Sequence, residues 1–197
     1  DFEKSGSKEY VFGFEESYGY NVETEVRDKD GVSAAAMCAE MTLYWRSQGK
    51  SLIDRLNELY LKHGYFQEQT ISKNFPGPTG GDTMKNLMAS LRKDGLTTLA
   101  GKKVSSIRDI LENTVYDPAD PATRKEAGLP ASNVLQFFLE DGTVLSARPS
   151  GTEPKIKFYI SCPVDVSNGS LDAARTAAAA LVNTIADEIQ AILAKAS

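Results

Sequence analysis

The eight residues RPSGTEPK, which begin at Arg148, combine the chemical groups that bind a phosphate or another oxyanion. Arg148 offers a planar guanidinium that matches two phosphate oxygens, and Lys155 adds a compact positive charge. Ser150 and Thr152 supply hydroxyl donors, while Gly151 exposes its backbone amide without a side chain in the way. Such a set of donors on one short segment favours a site for a small anionic ligand.

Two prolines, Pro149 and Pro154, make this segment stiff because each fixes its own backbone φ angle. Glu153 is its one acid, and we expect it to point away from the bound group. The segment lies among three runs with the composition of strands, at 134–139, 144–147 and 156–160. A rigid, donor-rich loop between strands is typical of a phosphate cradle. The alternative is a surface turn whose hydroxyls satisfy only the local backbone.

A second candidate lies early in the chain, in the turn GFEESYG that begins at Gly13. Its two carboxylates, Glu15 and Glu16, and the hydroxyl of Ser17 can hydrogen-bond to adjacent hydroxyls of a polyol. A merely solvated acidic turn is the alternative. Further on, the run Asp28-Lys29-Asp30 has two acids, but a lysine separates them and a helix is predicted to start there. Helix capping is therefore favoured over metal binding.

The 197 residues carry a net charge of -5 and no basic stripe, which argues against a general nucleic-acid-binding protein. The two cysteines, Cys38 and Cys162, have no paired spacing, so neither a disulfide framework nor a zinc site is expected. A reducing, cytoplasmic environment fits this usage. We see neither a signal peptide nor an apolar run of membrane-spanning length, and expect no membrane partner.

The first third of the chain is predicted to be the end of an α/β domain. It contains a buried strand at 10–14 and a helix at about 30–47 that is apolar on most sides and should pack on more than one face. Ser51 and Asp54 form a predicted capping box for a second helix, and Gly64 supplies its stop.

After Gly64 the pattern changes. A strand at 66–73 leads to a helix that ends at Gly95, and the region 96–133 shows one short strand at 104–107 and a turn at 117–121. Three strands around the phosphate loop follow. The last helix, at about 171–193, has one apolar stripe formed by Leu171, Ala174, Ala178, Leu181, Ile185, Ile189 and Ile192. This order predicts an α+β domain of two layers, an antiparallel sheet covered by helices.

The motifs GFEESYG and RPSGTEPK, in this order, resemble those of the α-D-phosphohexomutase superfamily, specifically its phosphoglucomutase and phosphomannomutase branch. The resemblance covers nearly the whole chain. It implies that residues 1–64 are the end of that family's third, sugar-binding α/β domain. Residues 65–197 would then be the complete fourth domain, a TBP-like α+β fold that binds phosphate.

The resemblance also implies roles for individual residues. In that family the acidic turn binds sugar hydroxyls, a lysine segment approaches the substrate, and the fourth-domain loop holds the phosphate that is not reacting. The implied sugar-binding residues are Glu15, Glu16, Ser17 and Lys29. The implied phosphate-binding residues are Arg148, Ser150, Gly151, Thr152 and Lys155. Lys29 is the one candidate for a catalytic role.

For the full-length protein, the resemblance implies a cytoplasmic isomerase that interconverts glucose 1-phosphate and glucose 6-phosphate. A phosphoserine would transfer the phosphoryl group, with Mg²⁺ and glucose 1,6-bisphosphate as cofactor and intermediate. The family's phosphoserine and three-aspartate magnesium loops are not in this sequence, because they belong to earlier domains. We therefore expect the chain to act with upstream domains and to have no mutase activity alone. A phosphomannomutase, a phosphopentomutase and a stand-alone phosphate-binding or regulatory module are the alternatives.

Overall fold

The computed structural model describes residues 2–15, 19–167 and 170–196. Within these ranges the chain forms five helices and ten strands. Its internal contacts divide it into two compact units, Asp1–Leu59 and Tyr60–Ser197. This division falls a few residues before the boundary at 64/65 that the sequence predicts, inside a helix that continues across it.

The first unit is built from short elements and two helices. These elements are α1 (Phe2–Ser5), β1 (Gly13–Glu15), β2 (Gly19–Asn21), α2 (Gly31–Ser47) and α3 (Leu52–His63). The prediction of a buried strand at 10–14 is wrong, since the strand is Gly13–Glu15 and Phe14 is 72% exposed. The physical reason is that β1 pairs only with β2, in a two-stranded ribbon on which the described aromatic side chains of Phe14 and Tyr20 remain exposed.

Helix α2 begins where the sequence predicts. The carboxylate of Asp30 accepts hydrogen bonds from the backbone N–H groups of Val32 and Ser33, at 3.0 and 3.1 Å, and so caps the helix. The prediction that this helix packs on more than one face is wrong for the described residues. It has no buried residue, and Val32 and Leu43 are 80% and 73% exposed.

Helix α3 has the predicted capping box. The Ser51 backbone N–H and hydroxyl donate to Asp54 Oδ2 at 2.8 and 2.7 Å, and the Asp54 N–H donates back to Ser51 Oγ at 3.1 Å. At the other end, the Gly64 N–H donates to the Tyr60 carbonyl at 2.9 Å. Gly64 has φ +97°, a left-handed conformation that favours glycine and ends the helix.

The second unit is an antiparallel sheet with two helices. Its helices are α4 (Gly80–Asp94) and α5 (Leu171–Ala196). Its strands are β3 (Tyr65–Asn74), β4 (Thr98–Leu99), β5 (Lys102–Asp109), β6 (Thr114–Asp117), β7 (Asp120–Glu126), β8 (Leu135–Leu139), β9 (Val144–Pro149) and β10 (Lys155–Val164). The strand order is β3-β10-β9-β8-β5-β6-β7, with β4 attached to β5. All of these pairs are antiparallel.

The sheet follows from strict alternation in its central strands. In β10, the side chains of Ile156, Phe158, Ile160 and Cys162 are at most 1% exposed, and the residues between them face the opposite side of the sheet. Strands β8 and β9 alternate in the same way, and they bury Leu135, Phe137, Leu139, Leu145 and Ala147. One face of the sheet therefore forms a continuous apolar core, while the other face is polar and partly open.

Both helices of the second unit contribute to that core. Helix α5 buries one stripe, which consists of Ala174, Ala178, Val182, Ile185, Ile189 and Leu193. In the predicted stripe, Ala174, Ala178, Ile185 and Ile189 are buried, but Leu171, Leu181 and Ile192 are only partly buried, and the buried Val182 and Leu193 were not predicted. Among the described residues, α5 is also the one helix long and apolar enough to cross a membrane, which the sequence analysis did not expect. Its buried stripe accounts for part of that composition, since 28% of the apolar window is buried.

The region 96–133 contains more strands than the sequence predicts. Strand β7 is exposed at every residue, so it has no apolar alternation that could reveal it. The predicted turn at 117–121 is present between β6 and β7, where Asp117 Oδ1 accepts from the Ala119 N–H at 2.8 Å. The predicted α+β class, an antiparallel sheet with helices in a second layer, is confirmed.

Candidate functional site

The RPSGTEPK segment connects the two central strands β9 and β10. The strands pair up to Pro149, which lies opposite Ile156, and the Ser150 N–H then donates to the Lys155 carbonyl at 2.7 Å. The turn is also attached to β3, because the Phe75 N–H donates to the Pro154 carbonyl at 2.8 Å. The loop is therefore held from both of its own strands and from a neighbouring one.

Inside the loop, Ser150 organises the backbone. Its Oγ accepts from the N–H groups of Thr152 and Glu153, at 3.4 and 3.3 Å, while its own hydroxyl hydrogen remains a donor. A Cβ added to Gly151 would meet no atom within 4 Å, so nothing in the described chain requires glycine there. The open space above Gly151 leaves room for an outside group to approach the backbone.

Positive charge is concentrated beside the loop on the polar face of the sheet. Arg148 lies exposed at the end of β9, and its direct cross-strand neighbour on β10 is Lys157. Lys155 lies two residues before Lys157 and so shares its face. The ammonium of Lys155 contacts the carboxylate of Glu153 at 3.0 Å. Glu153 therefore turns toward one of the predicted phosphate-binding residues, and the expectation that it points away from them is wrong.

The sequence places Lys157 with Arg148 and Lys155 in a local group of positive charges that suits a small anionic ligand, but it does not by itself assign Lys157 to the phosphate site. The signal that could have identified it is the alternation of β10, in which Ile156 and Phe158 are buried on either side of it. That pattern, together with the register that places it opposite Arg148, adds a further cation to the surface next to the loop. Its ammonium also lies 5.8 Å from the centre of the Tyr159 ring, within cation–π range.

In the first unit, the structure brings together two of the four residues predicted to bind sugar. The ammonium of Lys29 lies 3.6 Å from Glu15 Oε1 and 2.9 Å from Asp28 Oδ1. The hydrogen bond to Asp28, helped by the charges of Asp28 and Glu15, raises the pKa of Lys29 and keeps it protonated. Glu16 and Ser17 lie outside the described residues.

These side chains line a shallow cleft of about 220 Å³. Its walls are formed by Gly13, Phe14, Glu15, Gly19, Tyr20, Asn21, Asp28 and Lys29. The aliphatic part of Lys29 packs directly on Gly19, where a Cβ would collide with it. A carboxylate beside an ammonium in such a cleft offers both an acceptor and a donor to a hydroxylated ligand.

Metal binding receives no support from the residues that the structure describes, since none of them form a group of three or more His, Cys, Asp or Glu side chains able to hold an ion. Asp30 caps α2, and Asp28 hydrogen-bonds to the N–H and the ammonium of Lys29. The prediction that this acidic pair caps a helix is therefore confirmed at Asp30.

The fold and the site together define an α+β domain with a loop rich in groups that could bind an oxyanion, preceded by a further unit with a polar cleft. Residues 2–63 match the family described as phosphoglucomutase/phosphomannomutase, alpha/beta/alpha domain III. Residues 93–179 match the C-terminal domain of the same family. The two matches cover more than half of the chain, which belongs to the phosphoglucomutase/phosphomannomutase family.

Curated relatives agree with this assignment. The chain is 34% identical over 163 residues to a phosphoglucomutase of Staphylococcus haemolyticus, a match that covers 83% of this chain and 29% of the relative. It is 36% identical over 155 residues to a phosphoglucomutase of Staphylococcus aureus, covering 78% of this chain and 28% of that protein. The matched region therefore spans less than a third of these relatives' length.

A solved structure shows the same fold. It is the open form of the exocytosis-sensitive phosphoprotein pp63/parafusin from Paramecium, described as a phosphoglucomutase. The TM-score is 0.55 at 16% sequence identity, and the match covers 99% of this chain and 31% of that one. At 16% sequence identity, this similarity shows only that the two chains share a fold.

Proposed function

We propose that this chain is the substrate-holding, C-terminal part of a cytoplasmic phosphoglucomutase. The observation that carries the proposal is the loop between β9 and β10, in which Arg148, Ser150 and Lys155 present charged and hydroxyl donors from one locally fixed segment. Phosphoryl transfer depends mainly on positioning and on charge stabilisation. A loop of this kind would hold the phosphate of the sugar that is not reacting.

In the full-length protein, the proposed reaction interconverts glucose 1-phosphate and glucose 6-phosphate. The choice of glucose is supported by the names of the relatives. A phosphoserine in earlier domains would give its phosphoryl group to the sugar, and the bisphosphate would reorient and return the other group. Glu15 and Lys29 are proposed to orient the sugar hydroxyls meanwhile, while the loop accepts whichever phosphate is remote from the serine.

The exposed apolar surface of the first unit is consistent with a longer protein. Val32, Leu43 and Ile53 are each at least 63% exposed on α2 and α3. We propose that further residues of the full-length chain cover these helices, which would remove their exposed apolar side chains from water. Those same residues would supply the phosphoserine and any Mg²⁺ site, because the described residues provide no suitable set of metal ligands.

The test is a titration of the 197-residue chain with inorganic phosphate, followed by backbone amide chemical shifts. We expect the amides of Ser150, Gly151 and Thr152 to shift first, because their donors come from one local segment. Small uniform shifts over the surface would contradict the proposal.

Arg148→Ala should weaken phosphate binding about ten- to a hundredfold, the worth of a charge-assisted hydrogen bond. Arg148→Lys should recover only part of this loss, because a point charge does not reproduce the fork. Arg124→Ala is the matched control, since Arg124 is an exposed arginine that stacks on Tyr116 in the outer hairpin. Equal affinity of the Arg148 and Arg124 variants would exclude the proposed role.

A further inference from the structure

Glu153 is the one acidic residue of the loop, and the backbone fixes its position at both ends. Its N–H donates to Ser150 Oγ at 3.3 Å, and its carbonyl accepts from the Lys155 N–H at 2.8 Å. Its carboxylate reaches back to the ammonium of Lys155 at 3.0 Å, with the two side chains 61% and 30% exposed. A negative charge is therefore held within the group of donors that the phosphate would use.

This carboxylate opposes the other charges of the site. Arg148, Lys155 and Lys157 are cations that share the polar face beside the loop. A bound anion and the Glu153 carboxylate would compete for the ammonium of Lys155. They would also repel each other, because both lie well within the screening length of about 8 Å at physiological ionic strength. This repulsion grows with the charge of the ligand, so a dianion is disfavoured more than a monoanion.

We infer that Glu153 limits the affinity of the loop for dianionic phosphate groups by holding Lys155 and by repelling the second negative charge of the ligand. The inference rests on the proposed phosphate-binding function and assigns a charge-discriminating residue to that site. Its consequence is a loop that binds a phosphate monoester and releases it readily. Easy release suits a site from which one phosphate must leave before another takes its place.

The experiment compares two esters that differ in charge at the same pH. Methyl phosphate is a dianion at pH 8, because the second pKa of a phosphate monoester is about 6, and dimethyl phosphate is a monoanion. Both are titrated into the wild-type chain and into Glu153→Gln. Removing the carboxylate should tighten methyl phosphate about two- to fivefold, the range of an exposed charge pair, and dimethyl phosphate by less than about twofold.

Glu68→Gln is the matched control. The Glu68 carboxylate accepts from Ser161 Oγ at 3.4 Å on the polar face of the same sheet. Ser161 lies about 20 Å along β10 from Lys155, at about 3.3 Å per residue, which is beyond the screening length. This variant removes the same charge and should leave both affinities unchanged. Glu153→Ala, checked by circular dichroism, should repeat the gain of Glu153→Gln.

The outcomes separate the two ideas. If wild-type protein does not bind methyl phosphate at the loop, the proposed function of the loop fails, and the inference fails with it. If wild-type protein binds but Glu153→Gln binds equally or more weakly, the proposed function stands and the inference is overturned, because Glu153 would then position Lys155 for the ligand. An equal gain for both esters would also overturn it, since the discrimination by charge would be absent.

Discussion

The two units differ in where their apolar side chains lie. In the second unit, the buried hydrophobic residues form one cluster that runs from Tyr65 to Leu193 and joins the sheet to α4 and α5. In the described part of the first unit no hydrophobic side chain is buried, and its helices are fixed by polar caps at Asp30 and Ser51. Local hydrogen bonds can thus define where a helix begins, whereas only a second layer can bury its apolar face.

The sharpest test of this comparison is to truncate one large apolar side chain in each unit and to compare the losses of stability. Phe158 is fully buried in the second unit, and Phe158→Ala should lower the free energy of unfolding by about 3–5 kcal/mol. Leu43 is 73% exposed in the first unit, and Leu43→Ala should change it by about 0.5 kcal/mol or less. Urea unfolding followed by far-UV circular dichroism measures both. A comparable loss in the two variants would mean that the first unit also has a core.

A smaller effect tests a polar contact that completes the second unit. The Ala100 N–H donates to both carboxylate oxygens of Glu188, at 3.0 and 3.1 Å, and Ala100 has φ +51°, in the left-handed region. Glu188→Ala leaves this N–H without its charged acceptor and should lower the unfolding free energy by about 1.5–3 kcal/mol. Asp187→Ala, an exposed neighbour, is the control in the same denaturation assay. Identical midpoints for both variants would refute a stabilising role for Glu188.

The smallest expected effect is the pH dependence of the two helix caps in the first unit. Backbone and side-chain hydrogen bonds from Ser51 lower the pKa of Asp54, and those from Ser33 and Val32 lower the pKa of Asp30. A carboxyl whose folded pKa is depressed stabilises the fold above its unfolded pKa of about 3.9, and this contribution disappears as the pH falls through the folded pKa. The protection factors of the α2 and α3 amides, which are their exchange rates corrected for the intrinsic rate at each pH, should therefore fall below about pH 4.

Asp54→Ala provides the matched variant for this measurement. Exchange in α3 should be faster than in the wild type at neutral pH. The protection factors of α3 should also change less as the pH falls, because the titrating cap is gone. Exchange in α5, which is held by its buried stripe, should remain slow over the same pH range. Acid-dependent exchange in α5 that matched α3 would contradict the contrast between the two units.

Sequence reasoning succeeded where a signal was local. The Ser51–Asp54 box and the Gly64 stop each depend on residues close together in the chain, and each has the predicted geometry. It failed where the outcome depended on distant parts. The apolar composition of α2 predicts that the helix is buried. Burial requires a covering layer, however, and the described residues do not supply one.

The candidate site shows the same limit. The donors of the loop could be predicted from their residue types, since Arg148, Ser150 and Lys155 lie close together in the sequence. The sequence also indicates that Lys157 lies near these donors. That it lies directly opposite Arg148 could not be predicted, because this pairing depends on the register of β9 against β10. The contact between Glu153 and Lys155 depends on the turn conformation, which the residue types leave undetermined.

Because the Phe75 N–H donates to the Pro154 carbonyl, the conformation of the loop depends on residues outside the loop. Phe75 packs so closely on Gly80 that a Cβ added there would lie 2.8 Å from the Phe75 carbonyl carbon, and nearer still to its oxygen. Any side chain at position 80 would displace Phe75 and, with it, the donor that holds the turn. Gly80 is therefore a remote determinant of the conformation of this turn. On the proposed function, a substitution at Gly80 weakens phosphate binding while every proposed donor of the loop remains in the sequence.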